Sequence, residues 1–102
     1  MNMGTITANG TEQTLFESSE TGEFSGYVDL ANMQAGDTTN IRVYFKIKSG
    51  GAYRKFDDVQ YSDAQSKPAI HVPPLQSCYG FKVTLQQSAG SYRDYDYVFF
   101  KR

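Results

Sequence analysis

Thr38-Thr39-Asn40-Ile41-Arg42-Val43-Tyr44-Phe45-Lys46-Ile47-Lys48 alternates apolar and polar residues along its length. Ile41, Val43, Phe45 and Ile47 fall on one side, and Arg42, Tyr44, Lys46 and Lys48 on the other. A period of two marks a strand with one face on a core and the other open to solvent or a partner. A one-residue slip in register would expose all four apolar side chains, so the facing of this strand is well specified.

The same period recurs on both sides of this stretch. Downstream, residues 79–87 place Tyr79, Phe81, Val83 and Leu85 opposite Lys82, Thr84 and Gln86. Upstream, residues 24–30 place Phe24, Gly26, Val28 and Leu30 on one face. Gly26 within that run marks a bulge or a close backbone approach. Residues 53–61 and 92–101 read as further strands, and residues 5–8, 11–16 and 69–72 as short ones. Asn9-Gly10 predicts a type I′ hairpin turn joining residues 5–8 to residues 11–16. Pro73-Pro74 is expected to stop the strand before it, since proline gives no hydrogen to a sheet ladder. Residues 31–37 are too few for a stable helix. The count is seven or eight strands with turn signals about every ten residues, which predicts one all-β domain over 1–102. The expected architecture is an antiparallel sandwich, jelly-roll-like or immunoglobulin-like, without the immunoglobulin disulfide because Cys78 stands alone.

Composition narrows the function classes. The 102 residues carry 10 Lys+Arg against 11 Asp+Glu, a formal charge of -1. Proteins that coat DNA or RNA neutralise phosphates with clustered cations, so no direct nucleic-acid partner is expected. No apolar run reaches the roughly 18 residues of a membrane span. The start, Met1-Asn2-Met3-Gly4-Thr5-Ile6-Thr7, lacks a basic segment followed by an apolar one, so no signal peptide is expected. One cysteine and one histidine make a zinc site or a His-centred triad improbable, and no metal or cofactor is expected.

The conspicuous residues mostly have plain readings. His71 has no nucleophile or carboxylate at a known motif spacing and reads as structural or surface. Cys78 has only Lys82 nearby as a cation and reads as a packed thiol, buried or half-buried. Asp57, Asp58, Asp63, Asp94 and Asp96 do not follow a calcium-loop spacing and read as solvated acids. The glycines at 10, 36, 50, 51 and 90 sit at separate turns, with no phosphate-cradling loop before a helix. Without a nucleophile–base constellation, no enzymatic activity is expected.

Tyrosine and arginine invite a positive reading, because both are enriched at interface hot spots. The candidate partner-binding set is Arg42, Tyr44, Lys46, Tyr53, Arg54, Tyr61, Arg93 and Tyr95. The polar strip Arg42, Tyr44, Lys46 and Lys48 suits an acidic, partly apolar partner; neighbouring strands that supply Asp or Glu would be the plainer account of it. Aromatics at 15% with charged residues at only 21% leave apolar surface that needs cover, so a homo-oligomer or a docked protein is expected.

Thr5-Ile6-Thr7-Ala8-Asn9-Gly10-Thr11-Glu12-Gln13-Thr14-Leu15-Phe16 resembles the opening of a group of small tailed-phage proteins. The resemblance continues in order through Tyr27-Val28-Asp29-Leu30, Gly36-Asp37-Thr38, Ile41-Arg42-Val43-Tyr44, Ala64-Gln65, Pro73-Pro74 and Val83-Thr84-Leu85-Gln86-Gln87-Ser88-Ala89-Gly90. Similar phage sequences often close on an aromatic-Pro-Trp ending, where this chain reads Tyr95-Asp96-Tyr97-Val98. The resemblance implies a virion component made in the host cytoplasm: a small capsid decoration, cement or accessory protein bound to the major capsid or another structural protein. A receptor- or carbohydrate-binding module of a tail or fibre is the alternative.

Overall fold

A computed structural model describes residues 2–102. Eight strands follow one another: β1 (Asn2–Thr7), β2 (Gln13–Ser18), β3 (Gly22–Asp29), β4 (Thr38–Lys46), β5 (Tyr53–Ser62), β6 (Ala69–Ser77), β7 (Phe81–Ala89) and β8 (Asp94–Lys101). They form two four-stranded antiparallel sheets, ordered β1-β8-β3-β6 and β2-β7-β4-β5.

The order has a simple origin. β4 pairs with β5, β3 with β6, β2 with β7 and β1 with β8. The chain is thus one long antiparallel ribbon folded at the β4–β5 turn. Winding that ribbon sends successive segments to opposite sheets, and β3·β8 and β4·β7 then complete each sheet. This is jelly-roll order. An immunoglobulin sandwich instead pairs its first two strands within one sheet, whereas here β1 and β2 belong to different sheets.

Inward side chains from both sheets make the core. Phe24 stacks on Phe81 with ring centroids 5.1 Å apart, and Phe16 on Phe99 at 5.5 Å. Val28, Leu30, Val83 and Leu85 fill the space around the rings and are fully buried. Each such side chain contributes roughly 1.5–3 kcal/mol of transfer free energy. Gly26 is where β3 meets β8 most closely: a Cβ there would strike the Val98 carbonyl and the Phe99 ring.

Four expectations are corrected. Asn9-Gly10 does not close a hairpin, because it carries the chain from one sheet to the other. The Asn9 carboxamide oxygen accepts from the Thr11 backbone N–H (3.0 Å) and hydroxyl (2.6 Å), and Gly10 takes φ 85°. Those bonds are local and serve a sheet-crossing corner as well as a hairpin. Pro73-Pro74 does not end its strand, since β6 runs through both residues. β6 is an edge strand, and its register with β3 shifts between Phe24 and Gly26, so the prolines fall at a bulge. Ile47 lies beyond the end of β4 and is 68% exposed. β5 pairs with β4 alone and is exposed along nearly its whole length, so this end of the hairpin has no opposing layer. Tyr79 precedes β7 and is exposed rather than in the core.

Candidate functional site

The outward face of the β2-β7-β4-β5 sheet carries Arg42, Tyr44, Lys46 and Tyr53 together. Antiparallel register does this: Arg42 sits opposite Asp58 on β5 and Thr84 on β7, and Tyr44 opposite Lys55 and Lys82. Arg42 Nε donates to Asp58 Oδ2 (3.2 Å), and its Nη1 donates to Gln86 Oε1 (2.8 Å) and lies 3.5 Å from Glu12 Oε1. Asn40 Nδ2 donates to the other Asp58 oxygen at 3.0 Å. The Asn40 hydrogen bond, followed by the Arg42 contacts, holds the Asp58 carboxyl below its ordinary value despite some burial. Neighbouring strands therefore supply acids to Arg42.

Below Arg42 lies a shallow basin of about 410 Å³, lined by Glu12, Thr14, Tyr44, Tyr53, Lys82 and Thr84. Glu12 Oε2 accepts from the Tyr44 hydroxyl (2.6 Å) and the Thr84 hydroxyl (2.5 Å). Burial alone would raise the Glu12 carboxyl, but those two bonds and the Arg42 charge hold it below its ordinary value. Burial, then the Glu12 hydrogen bond, pushes the Tyr44 phenol up. The Tyr53 hydroxyl donates to Glu17 Oε2 at 2.9 Å, and burial with the Glu17 charge pushes that phenol to about 12.

The lysines of this face sit differently from Arg42. Lys82 Nζ lies 4.9 Å from the Tyr44 ring centroid and 4.6 Å from that of Tyr53. Lys46 Nζ lies 4.8 Å from the Tyr53 centroid. Among the described residues, neither ammonium has a carboxylate within 4.0 Å. Ring faces attract cations; Lys82 also helps hold down the Glu12 carboxyl and sits opposite Glu17 in the β2·β7 ladder.

The other four candidates lie elsewhere. Arg54 is exposed on β5, towards the hairpin end. Tyr61 is half-buried against the core. Arg93 Nε donates to Asp37 Oδ2 at 2.8 Å, an internal pairing. Tyr95 is corrected outright: it is 0% exposed, so no partner can reach it. Its hydroxyl donates to Gln87 Oε1 (2.9 Å) and lies 2.7 Å from Thr39 Oγ1, which is what lets a tyrosine sit in the core. Cys78 is also corrected: it is exposed, in the connection from β6 to β7. His71 stacks on Tyr27 at the surface, centroids 4.9 Å apart. Asp63, Asp94 and Asp96 each accept a short protein hydrogen bond, from Gly36 N–H, Thr7 and Thr5.

Sequence reading missed Glu12, Glu17, Lys82 and Thr84 as part of this site. The alternation of β7 does mark Lys82 and Thr84 as outward, but which strand lies beside them is a matter of winding. The outward face of the β1-β8-β3-β6 sheet was missed altogether. Met3, Val98, Tyr27 and His71 form one cross-strand row there. Beside it runs an open groove of about 850 Å³, in which Asp29 and Asp96 are the charged lining residues. Compared with known protein families, curated proteins and solved structures, the chain matches none.

Proposed function

We propose that the protein works by docking rather than by catalysis: a virion accessory protein that binds a particle shell through the outward face of β2-β7-β4-β5. The observation that carries this is the pair Lys46 and Lys82, whose ammonium groups rest on the Tyr44 and Tyr53 rings with, among the described residues, no carboxylate at ion-pair distance. Large amphipathic rings beside cations that lack a close ion pair suit an acidic, partly apolar protein surface. The resemblance of the chain to small tailed-phage proteins supplies the setting. Co-sedimentation with purified shells of the virus that encodes it tests the reading. Tyr53→Ala with Lys82→Ala should lower shell occupancy at least tenfold while the melting curve changes little. Unchanged occupancy with an intact fold would exclude this face.

The same basin favours one second reading, a carbohydrate-binding module. Tyrosine rings, the Glu12 carboxylate and the hydroxyls beside it, on a rigid sheet, are groups that orient sugars. A glycan array separates the two, since a shell-binding protein gives no saccharide signal there.

A further inference from the structure

The geometry points to head-to-tail self-association, in which the β4–β5 tip of one copy seats in the β1-β8-β3-β6 groove of the next. This goes beyond shell docking and uses different surfaces.

The tip is basic and partly apolar, with a small dip of about 210 Å³ among Ile47, Lys48, Gly51, Ala52 and Arg54. From Lys46 to Lys55 the chain carries Lys46, Lys48, Arg54 and Lys55 and no acid. Ile47 stands out of it, 68% exposed, beyond the last pair of the ladder. Lys48 and Arg54 are exposed and, among the described residues, enter no ion pair.

The groove is the converse. Met3, Tyr27, Val98 and Ala69 give it apolar walls, and its charged lining is Asp29 and Asp96 only. Neither carboxylate has a cation at ion-pair distance among the described residues: Asp96 accepts from Thr5, and Asp29 from the Ala31 N–H.

Apolar meets apolar, and cations meet acids, with both halves on one chain. Neither half can satisfy itself. Two acidic grooves repel, two basic tips repel, and the tip belongs to the sheet opposite the groove, out of its reach within one molecule. A reciprocal two-fold pair, each tip in the other's groove, would stop at a dimer; a heterologous contact joins copies into a closed ring or an open row and grows past it, and that is the arrangement proposed. The surfaces are small, so association is weak in solution and strengthens where copies are already held side by side.

Sedimentation velocity on the full chain, from micromolar to near-millimolar, tests this. The wild type should grow with concentration beyond a dimer, and added salt should reverse the growth. A tip variant, Ile47→Ser with Lys48→Ser, and a groove variant, Asp96→Lys, should each lose at least tenfold in self-affinity. Mixed one to one, they should form a heterodimer and stop, because one intact tip then meets one intact groove. Should Asp96→Lys fail to fold, Asp96→Asn carries the groove arm with the same expectations at a smaller loss. A wild type that stays monomeric throughout overturns the proposal, as does either folded variant associating like wild type, or folded variants that ignore one another.

Discussion

Arg93 reaches across from the β7–β8 connection to Asp37, whose carboxylate is 1% exposed, and donates to it at 2.8 Å. The same carboxylate oxygen accepts from the Gln34 N–H at 2.8 Å. These bonds tie the segment before β4 to the segment before β8. Arg93 is partly exposed, so water replaces some of its contact, and Arg93→Ala should destabilise by about 1–3 kcal/mol, read by urea unfolding. The Arg93 and Gln34 hydrogen bonds hold the Asp37 carboxyl below the ordinary aspartate value of 3.8. Its folded-state affinity for a proton is therefore lower than in the unfolded chain. The associated stability should be complete above pH 3.8 and disappear as pH falls below it. Asp37→Asn should flatten that acid limb.

Gly26→Ala tests the closest approach of β3 to β8. Its Cβ would meet backbone, which cannot rotate away, as well as the Phe99 ring. A loss of about 2–3 kcal/mol is expected, lowering Tm by roughly 8–20 °C for a chain of this size. A calorimetric midpoint within two or three degrees of wild type would contradict the packing described.

Tyr95→Phe keeps the ring and removes the hydroxyl. Gln87 would retain its bonds to the Ala89 and Ser91 carbonyls and to Arg93 N–H. Thr39 Oγ1 would lose its partner inside the core. The expected cost is about 1–3 kcal/mol in chemical denaturation. If the proposed shell docking holds, the folded variant should bind shells like wild type, which separates Tyr95 from the tyrosines of the outward face.

Tyr53 should ionise late. Burial and Glu17 push its phenol from 10.0 to about 12, so the folded state holds that proton more tightly than the unfolded chain does. The stability linked to it is complete below pH 10.0 and is lost as pH rises through about 12. Ultraviolet titration of wild type against Tyr53→Phe should show one phenolate missing from the late limb only. A phenolate missing from the early limb would contradict the Glu17 contact.

Legibility followed the range of the interactions. Alternation in Ile41, Val43 and in Phe81, Val83, Leu85 reports a property of single strands, and the structure buries all five. The two-sheet sandwich follows from such faces, because each must find another. Asn9-Gly10 and Pro73-Pro74 misled because their local chemistry is the same in a hairpin or a corner, at a strand end or a bulge. Ile47 reads as core from its own strand, but its exposure depends on how far the opposite sheet extends. Arg42, Tyr44 and Lys46 were legible as one outward strip, whereas Glu12 and Lys82 reach that strip only through winding. Tyr95 reads as an interface residue until Thr39 and Gln87, distant in sequence, supply its hydroxyl with partners.

The adjacency of β1 and β8 governs how the molecule bears a load. Asn2 sits opposite Phe99, so the two chain ends leave the sandwich side by side. Tension applied between those ends would open the β1·β8 ladder one rung at a time, like a zip, rather than shearing all its rungs together. The next pairs inward would then follow. A pull spread across a sheet face instead loads many rungs in parallel. The fold is thus mechanically soft along its termini and stiff across its faces, and a firm attachment to anything large belongs on the faces.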